Sequence, residues 1–170
     1  FPVKDEVARK LELPTPFFLP IWTTTPWTLP SNLAIAMHPD MEYAVVKAGD
    51  RYYAVVVSLL EEFQKKLGVE LHTKEIRKGI EFQTLTYKHA WIDRESPVLL
   101  ADYVTADTGT GLVHTAPDHG VDDFNLAHHL GLLQLVGPDG RFTAAVNDPE
   151  FEGKNIFDTN PLVVERLRTS

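Results

Sequence analysis

Short runs of β-branched and aromatic residues recur along the chain, and turn residues separate them. Alternation of apolar and polar positions predicts a strand over residues 41–47, and Gly49-Asp50 is typical of a hairpin turn into a second strand at 51–57. Similar runs predict strands over residues 17–25, 33–37, 69–73, 80–87, 98–104 and 111–115. Pro20 within the first run suggests an edge or a bulge. This spacing predicts an antiparallel barrel or sandwich.

Three helices are predicted from capping residues that stand beside apolar positions at helical spacing. A capping box at Ser58 and Glu61 begins the first helix, which Gly68 can end. The second begins near Asp122 and stops at Gly131, and the third begins with a cap and a proline at 160–161. The positions expected to form the apolar faces are Leu59, Leu60, Phe63 and Leu67, then Phe124, Ala127 and Leu130, then Leu162, Val163 and Leu167. Residues 137–155 are expected to form a loop.

The composition indicates one globular domain with a real core. The chain has 170 residues, of which 44% are hydrophobic and 24% are charged. The absence of cysteine excludes disulfides and thiolate metal sites, and no apolar run is long enough to span a bilayer. Because the first residue is Phe1, we expect the chain to be a piece of a longer protein.

The formal net charge of −8 is opposite to that of a typical nucleic-acid-binding domain, which needs lysine and arginine for phosphate contacts. Basic residues cluster at 65–66 and at 74–78, where we expect a solvated helix end and a turn. If this domain meets a polyanion, other parts of a larger protein should supply most of the affinity.

The segment WTTTPWT, residues 22–28, places three threonines at the expected end of a strand. On a strand, Thr23 and Thr25 would face one way and Thr24 the other, which would form a ledge of hydroxyls closed by two indoles. Such a ledge could bind a hydroxylated substrate such as a ribose. High β-propensity and local backbone bonding also explain the threonines, and this segment alone favours that structural explanation.

The segment GTGLVHTAPDHGVDD, residues 109–123, combines glycines with two histidines and three aspartates. His114 ends a predicted strand and Asp123 begins a predicted helix nine positions later, so both can reach one pocket mouth. In a first helical turn the helix dipole would stabilise Asp123 as an anion, which suits the capture of an ammonium group. Asp122 is expected to be the N-cap, which leaves Asp123 free for binding.

A metal site is an alternative for the same segment. Its candidate ligands are His114, Asp118, His119, Asp122 and Asp123. Their spacing matches no common zinc helix such as HExxH, and His128 and His129 are adjacent on a helix and so point apart. The sequence therefore favours a metal-free site.

Together and in this order, the two segments resemble the editing domain inserted in class I isoleucyl-tRNA synthetases. WTTTPWTLPSN, residues 22–32, resembles the threonine-rich motif of that family, and residues 109–123 resemble its second editing motif. The valyl and leucyl relatives typically carry TTRPET or TTRPDT, whereas this chain has Thr25 and Trp27 at the variable positions. One departure is Asp118, where a small residue such as glycine is common in the family.

The resemblance implies a mainly β fold with a few helices around a β-barrel core, in a single domain over 1–170. It implies that Asp123 binds the α-ammonium group of a mischarged amino acid and that His114 shapes the side-chain pocket. Thr25 would contact the substrate or the attacking water. The other substrate-binding residues implied are Thr23, Thr24, Trp27, Thr28, Asn32, Ala116 and Pro117.

The implied activity is hydrolysis of valine from mischarged tRNA(Ile), with no cofactor or metal in this domain. The expected partners are the 3′ end of that tRNA, its valine moiety, valyl-adenylate, and the rest of an ATP-binding, cytoplasmic and monomeric synthetase. No membrane partner is expected. Two alternatives stay open, a stand-alone metal-dependent hydrolase and a non-catalytic module that docks tRNA.

Overall fold

A computed structural model describes residues 1–169, within which eight strands form two four-stranded sheets. The strands are β1 (Phe17–Phe18), β2 (Ala34–Met37), β3 (Glu42–Ala48), β4 (Arg51–Val56), β5 (His72–Lys78), β6 (Thr86–Lys88), β7 (Glu95–Leu100) and β8 (Leu112–Thr115). The helices are α1 (Asp5–Lys10), α2 (Leu60–Leu67), α3 (Val121–Ala127) and α4 (Asn160–Thr169). Among the helices of residues 1–169, none has the length and apolar character needed to cross a bilayer.

The chain divides into two compact units. The first comprises Phe1–Thr23, Ala34–His89 and Asp93–His114, and the second comprises Thr24–Leu33, Ala90–Ile92 and the chain from Thr115 onward. The first unit holds the two sheets except for Thr115, together with α1 and α2, and the second holds α3 and α4. The prediction of a single domain over 1–170 stays a prediction.

The first unit is built on strand pairing that the sequence largely indicates. One sheet has the order β1-β4-β3-β5 and the other β6-β7-β2-β8. The predicted hairpin is confirmed, since β3 and β4 are antiparallel with Ala48 opposite Arg51. β3 is buried continuously from Tyr43 to Val46, because it lies between two other strands and has both faces covered.

The mainly β fold with a few helices is confirmed, but the purely antiparallel barrel is not. β1 pairs with β4 in parallel, and β2 pairs with β7 in parallel. Neither sheet of the described residues closes on itself in hydrogen-bond order. Apolar side chains from both sheets, α1 and α2 nevertheless join one core cluster in the first unit. The apolar faces of the sheets are thus buried by packing in this shared core, and not by closure of the sheets into a barrel.

Several predicted strands are shorter or shifted. The run 17–25 is a strand only at β1, because Leu19 then donates its N–H to the Phe1 carbonyl and prolines follow at 20 and 26. The basic residues 74–78 lie in β5 and do not form a turn. Residues 80–82 belong to a 3₁₀ helix, Gly79–Phe82, which the Glu81 carboxylate stabilises by accepting the Lys78 N–H. The strand predicted over 98–104 ends at Leu100.

The helix ends differ from the predicted caps. Ser58 lies within a 3₁₀ turn, Val57–Leu59, and no described side chain caps α2, so the capping box is wrong while the end at Gly68 is confirmed. Gly120 occupies the N-cap position of α3, so the assignment of Asp122 as N-cap is wrong. A 3₁₀ turn, His128–Leu130, extends α3 to Gly131 as predicted.

The apolar faces of the last two helices are only partly buried. Ala127 and Val163 are fully buried, but Phe124 is 43% exposed and both Leu130 and Leu167 are also exposed. α1 was not predicted.

The second unit has its own aromatic centre, where Phe142 and Phe151 meet edge to face with ring centroids 5.5 Å apart. The loop predicted over 137–155 contains the 3₁₀ turn Ala144–Val146, and isolated β-bridges and backbone turn bonds hold the rest of it.

Candidate active site

The threonine-rich segment does not continue a strand, so its predicted alternation of faces is wrong. Beyond Thr25 the backbone forms a 3₁₀ helix, Pro26–Ser31, with proline at its first position. The Thr25 carbonyl accepts the Thr28 N–H at 3.2 Å and the Thr28 hydroxyl at 2.8 Å. Thr28 is buried by this contact, which makes it a support for the Thr25 turn.

Thr24 is exposed, while Thr23 and Thr25 are half-buried. Thr23 belongs to the first unit and Thr24 to the second, so the boundary between the units passes through the threonine run. Asn32, predicted to be a polar pocket residue, is 0% exposed and donates its N–H to the Leu29 carbonyl. Its burial favours a supporting role over direct contact with a ligand.

Trp27 is fixed on both its backbone and its ring. Its N–H donates to the Asn160 side-chain oxygen at 3.0 Å. The sequence predicts this asparagine as a helix cap, and in the structure its side chain binds the threonine-rich segment. Its indole meets the rings of His119 and Phe157 edge to face, with centroids 4.9 and 6.3 Å away. Trp22 lies in the first unit, where its Cβ lies 3.1 Å from the place that a Cβ on Gly109 would occupy.

Asp123 lies in the first turn of α3, as predicted, and its carboxylate folds back over the start of the helix. Oδ2 accepts the N–H of Ala116 at 2.8 Å. Gly120 permits this approach, because a Cβ at that position would lie only 3.3 Å from the Asp123 Cγ. Ala116 and Pro117 are buried and form the turn that presents this N–H.

The electrostatics of Asp123 differ from the expectation of a stabilised anion. Burial raises the pKa of its carboxyl, and the Ala116 hydrogen bond only partly opposes that rise. The charged groups of the described residues that act on this pKa are Asp122, which raises it, and His119, which lowers it. Burial is therefore the largest effect on this carboxyl, and neither lysine nor arginine is among the charged groups that act on its pKa.

His119, considered from the sequence only as a metal ligand, makes a side-chain link between the two motifs in the second unit. Its Nε2 lies 3.0 Å from the Ser31 hydroxyl oxygen. Burial lowers the pKa of His119, although Asp118 and Asp123 oppose this effect. Sequence reasoning missed Ser31 because the pair is 88 positions apart and serine carries little signal by itself.

Asp118, which stands where a small residue is common in the family motif, has a structural role. Its Oδ2 accepts the N–H groups of Leu133 at 2.7 Å and Gln134 at 3.1 Å. Gln134 has a positive φ of 48°, so the carboxylate stabilises a backbone turn that is unfavourable for glutamine. Asp118 and His119 also line a cleft of about 580 Å³ with residues 134–138 and Thr143.

The candidate metal ligands are not gathered into a donor set. Within residues 1–169, no three histidine, aspartate or glutamate side chains are grouped to hold a metal ion. His119 and Asp118 are bound as described above, and Asp122 is exposed.

The second unit contains all the predicted site residues except Thr23 and His114. The two motif segments of this unit contact each other through Ser31 and His119. Leu33, directly after the first segment, donates its N–H to the Thr115 carbonyl at 3.0 Å. His114 is a half-buried residue of β8 in the first unit. The roles assigned to these residues stay predictions.

The second unit's arrangement is consistent with the comparisons to known proteins. Residues 10–156 match the family model described as leucyl-tRNA synthetase, editing domain. The isoleucine–tRNA ligase of Nitratidesulfovibrio vulgaris is 43% identical over 173 residues, which cover 99% of this chain and 18% of that protein. That of Glaesserella parasuis is 45% identical over 151 residues, 87% of this chain and 16% of that protein. The chain thus spans less than a fifth of either relative.

Solved structures support the same fold. The editing domain of the P. knowlesi cytosolic leucyl-tRNA synthetase matches with a TM-score of 0.73 and 13% identity, over 99% of this chain and 91% of that one. The equivalent P. falciparum domain matches with a TM-score of 0.67 and 12% identity, over 90% and 77% of the two chains. The family match covers most of the sequence and includes both motifs in full, and we conclude that this chain belongs to the editing-domain family of class I tRNA synthetases.

Proposed function

We propose that this chain hydrolyses the ester that joins valine to tRNA(Ile), as the proofreading domain of an isoleucine–tRNA ligase. The relatives that share 43% and 45% identity carry that name, and the family is one of editing domains. A second site is needed because one missing methylene group discriminates by only about 1–3 kcal/mol, an estimate for which isoleucyl-tRNA synthetase is itself the reference case.

The observation that carries this proposal is the state of Asp123. Its carboxylate is half-buried, is fixed by one backbone N–H, and has a pKa that burial raises. An α-ammonium group would supply a positive charge where neither lysine nor arginine acts on this pKa, and the pair would stabilise each other in a partly desolvated place. An aminoacyl ester with a free α-ammonium group is thus a suitable ligand.

The proposed reaction needs no protein nucleophile. A bound water attacks the aminoacyl carbonyl, the bond between that carbon and the ribose oxygen breaks, and the ribose oxygen takes a proton. The products are valine and tRNA with a free terminal hydroxyl. Asp123 holds the ammonium group in the ground state and the transition state alike, while Thr25 and the neighbouring ribose hydroxyl orient the attacking water. Valyl-adenylate is a second substrate that the same anchor could hold.

The remaining roles follow the resemblance. His114 is proposed to limit the size of the amino acid side chain, with Thr23 and Thr24 beside the terminal adenosine. Thr28 and Asn32 are buried and are proposed to support that segment, and Trp27 packs behind it. Because the chain is acidic, with a net charge of −8, most of the affinity for tRNA should come from the rest of the protein.

A deacylation assay with valyl-tRNA(Ile) tests the anchoring role in the complete protein. We expect Asp123→Asn to lower kcat/KM by about 10- to 100-fold, because a charged hydrogen bond is worth about 1.5–3 kcal/mol. The asparagine oxygen can still accept the Ala116 N–H, so the fold should persist. The matched control is Asp122→Asn, whose exposed carboxylate should be dispensable. Unchanged deacylation by Asp123→Asn would refute the proposed function of this site.

A further inference from the structure

We propose that His119 is a positioning residue, which joins the threonine-rich segment to the turn that holds Asp123 through its hydrogen bond with Ser31. This inference rests on the proposed function, because it assigns His119 the task of orienting the ammonium anchor. We call the link between Ser31 Oγ and His119 Nε2 the Ser31–His119 latch. All the residues that form it belong to the second unit.

The Ser31 side of the latch is shielded from water. Ser31 ends the 3₁₀ helix Pro26–Ser31 and is only 1% exposed. Its hydroxyl lies 3.0 Å from His119 Nε2. A buried hydroxyl that loses its partner cannot turn to bulk water, so the bond should persist whenever this unit is folded.

The imidazole is held on its flank as well as at its nitrogen. Trp27 lies edge to face against it at 4.9 Å, and Trp27 is itself fixed by the Asn160 side chain. Burial lowers the pKa of His119, which favours the neutral ring at pH 7. Two contacts from one 3₁₀ helix therefore fix the plane and the reach of this ring.

The other end of the latch leads directly to the anchor. The His119 N–H donates to the Ala116 carbonyl at 2.9 Å, and the Ala116 N–H donates to Asp123 Oδ2 at 2.8 Å. The turn 116–119 is thus closed on itself by one bond and holds the carboxylate by the other. A shift of His119 would move this turn, and the carboxylate would move with it.

The consequence should appear in substrate binding. If Asp123 holds the ammonium group in both the ground state and the transition state, a misplaced anchor raises KM and leaves kcat nearly unchanged. A general loss of folded protein would instead lower the apparent kcat with KM unchanged. The division between KM and kcat therefore separates positioning from mere support of the fold.

The test uses deacylation of valyl-tRNA(Ile) by the complete protein. We expect Ser31→Ala and His119→Leu each to raise KM by about fivefold, the effect of one hydrogen bond. His119→Gln should restore most of the affinity, since its amide nitrogen can take the place of Nε2. The double variant should be no worse than either single variant. The matched control is His129→Leu, an exposed histidine of the same unit, which should leave both constants unchanged.

Three outcomes would overturn the latch: an unchanged KM in Ser31→Ala and His119→Leu, effects that multiply in the double variant, or a glutamine variant no better than leucine. Asp123→Asn is measured beside them. If Asp123→Asn is impaired and the latch variants are not, this inference alone fails. If Asp123→Asn is also normal, the proposed function fails.

Discussion

At the scale of residues, the aspartates at 118, 122 and 123 occupy different environments despite their closeness in sequence. Asp118 accepts two backbone N–H groups and fixes a loop, whereas Asp122 is exposed. Asp123 is half-buried with one backbone donor. Among these three, Asp123 is the one whose pKa burial raises, and a ligand cation would stabilise the ionised form of such a carboxyl.

The raised pKa of Asp123 predicts a pH dependence of deacylation. The anchor must be ionised, so kcat/KM should fall as the pH decreases through the pKa of Asp123 in the free protein. Because burial raises that pKa, the decline should begin above 3.8, the ordinary value. A profile of kcat/KM against pH measures this directly. A decline centred at or below that value would show that the anchor is not a desolvated carboxylate.

The same pKa predicts an effect on stability. The folded state holds the proton more tightly than the unfolded state, so the free energy of unfolding should decrease as pH rises through the pKa of Asp123. Asp123→Asn removes this dependence while it keeps an acceptor for Ala116. Denaturation at pH 7 should therefore find the variant at least as stable as the parent, with the difference vanishing below pH 3.8. A less stable variant at pH 7 would contradict this.

At the scale of elements, the Gly-Thr-Gly turn before β8 is a packed joint of the first unit. Gly111 has a φ of +78°, and its carbonyl accepts the Tyr43 hydroxyl at 2.7 Å. Thr110 donates its hydroxyl to the Pro20 carbonyl, and its own carbonyl accepts the Val56 N–H. The turn thus fixes the start of β8, the strand that carries His114. Glycines of this kind also occur in phosphate-binding loops, but here their role is structural.

Gly111→Ala should be strongly destabilising. A Cβ there would lie 2.6 Å from Val56 Cβ, so a steric penalty of about 1–3 kcal/mol adds to the cost of a positive φ. The matched control is Gly49→Ala, at a φ of +58° with open space around it, where only the conformational cost of about 1 kcal/mol applies. Chemical denaturation of both variants should show the larger loss at Gly111. Equal losses of stability in the two variants would mean that the Val56 and Tyr43 side chains move aside without an energetic penalty.

The sequence predicts elements well where they depend on local pattern. The β3–β4 hairpin, β2 and β8 lie within about one residue of the predicted ranges, and α2 ends at Gly68 as expected. Prediction fails where a distant partner decides the conformation. Residues 19–25 leave the sheet because the backbone bonds to Phe1 and prolines interrupt the ladder, and β1 and β4 pair in parallel across a long connection.

At the scale of the whole molecule, the family could be predicted because two motifs of unusual composition occur in a fixed order. Asp123 was identified in this way, and its position at the start of α3 was predicted. The Ser31–His119 latch was not predictable, because neither residue is distinctive and their contact depends on the fold. The structural role of Asp118 was likewise not predictable, because its carboxylate binds the N–H of Leu133, fifteen positions away, and no local sequence pattern relates the two residues.

A structure with a bound non-hydrolysable valyl-adenosine analogue would locate the ammonium group of a valyl ester relative to Asp123. We predict the ammonium nitrogen within about 3 Å of the Asp123 carboxylate, with Asp123 still bound to the Ala116 N–H. An analogue bound with its ammonium group away from Asp123, for instance in the cleft lined by residues 134–138, would show that Asp123 is not the ammonium anchor.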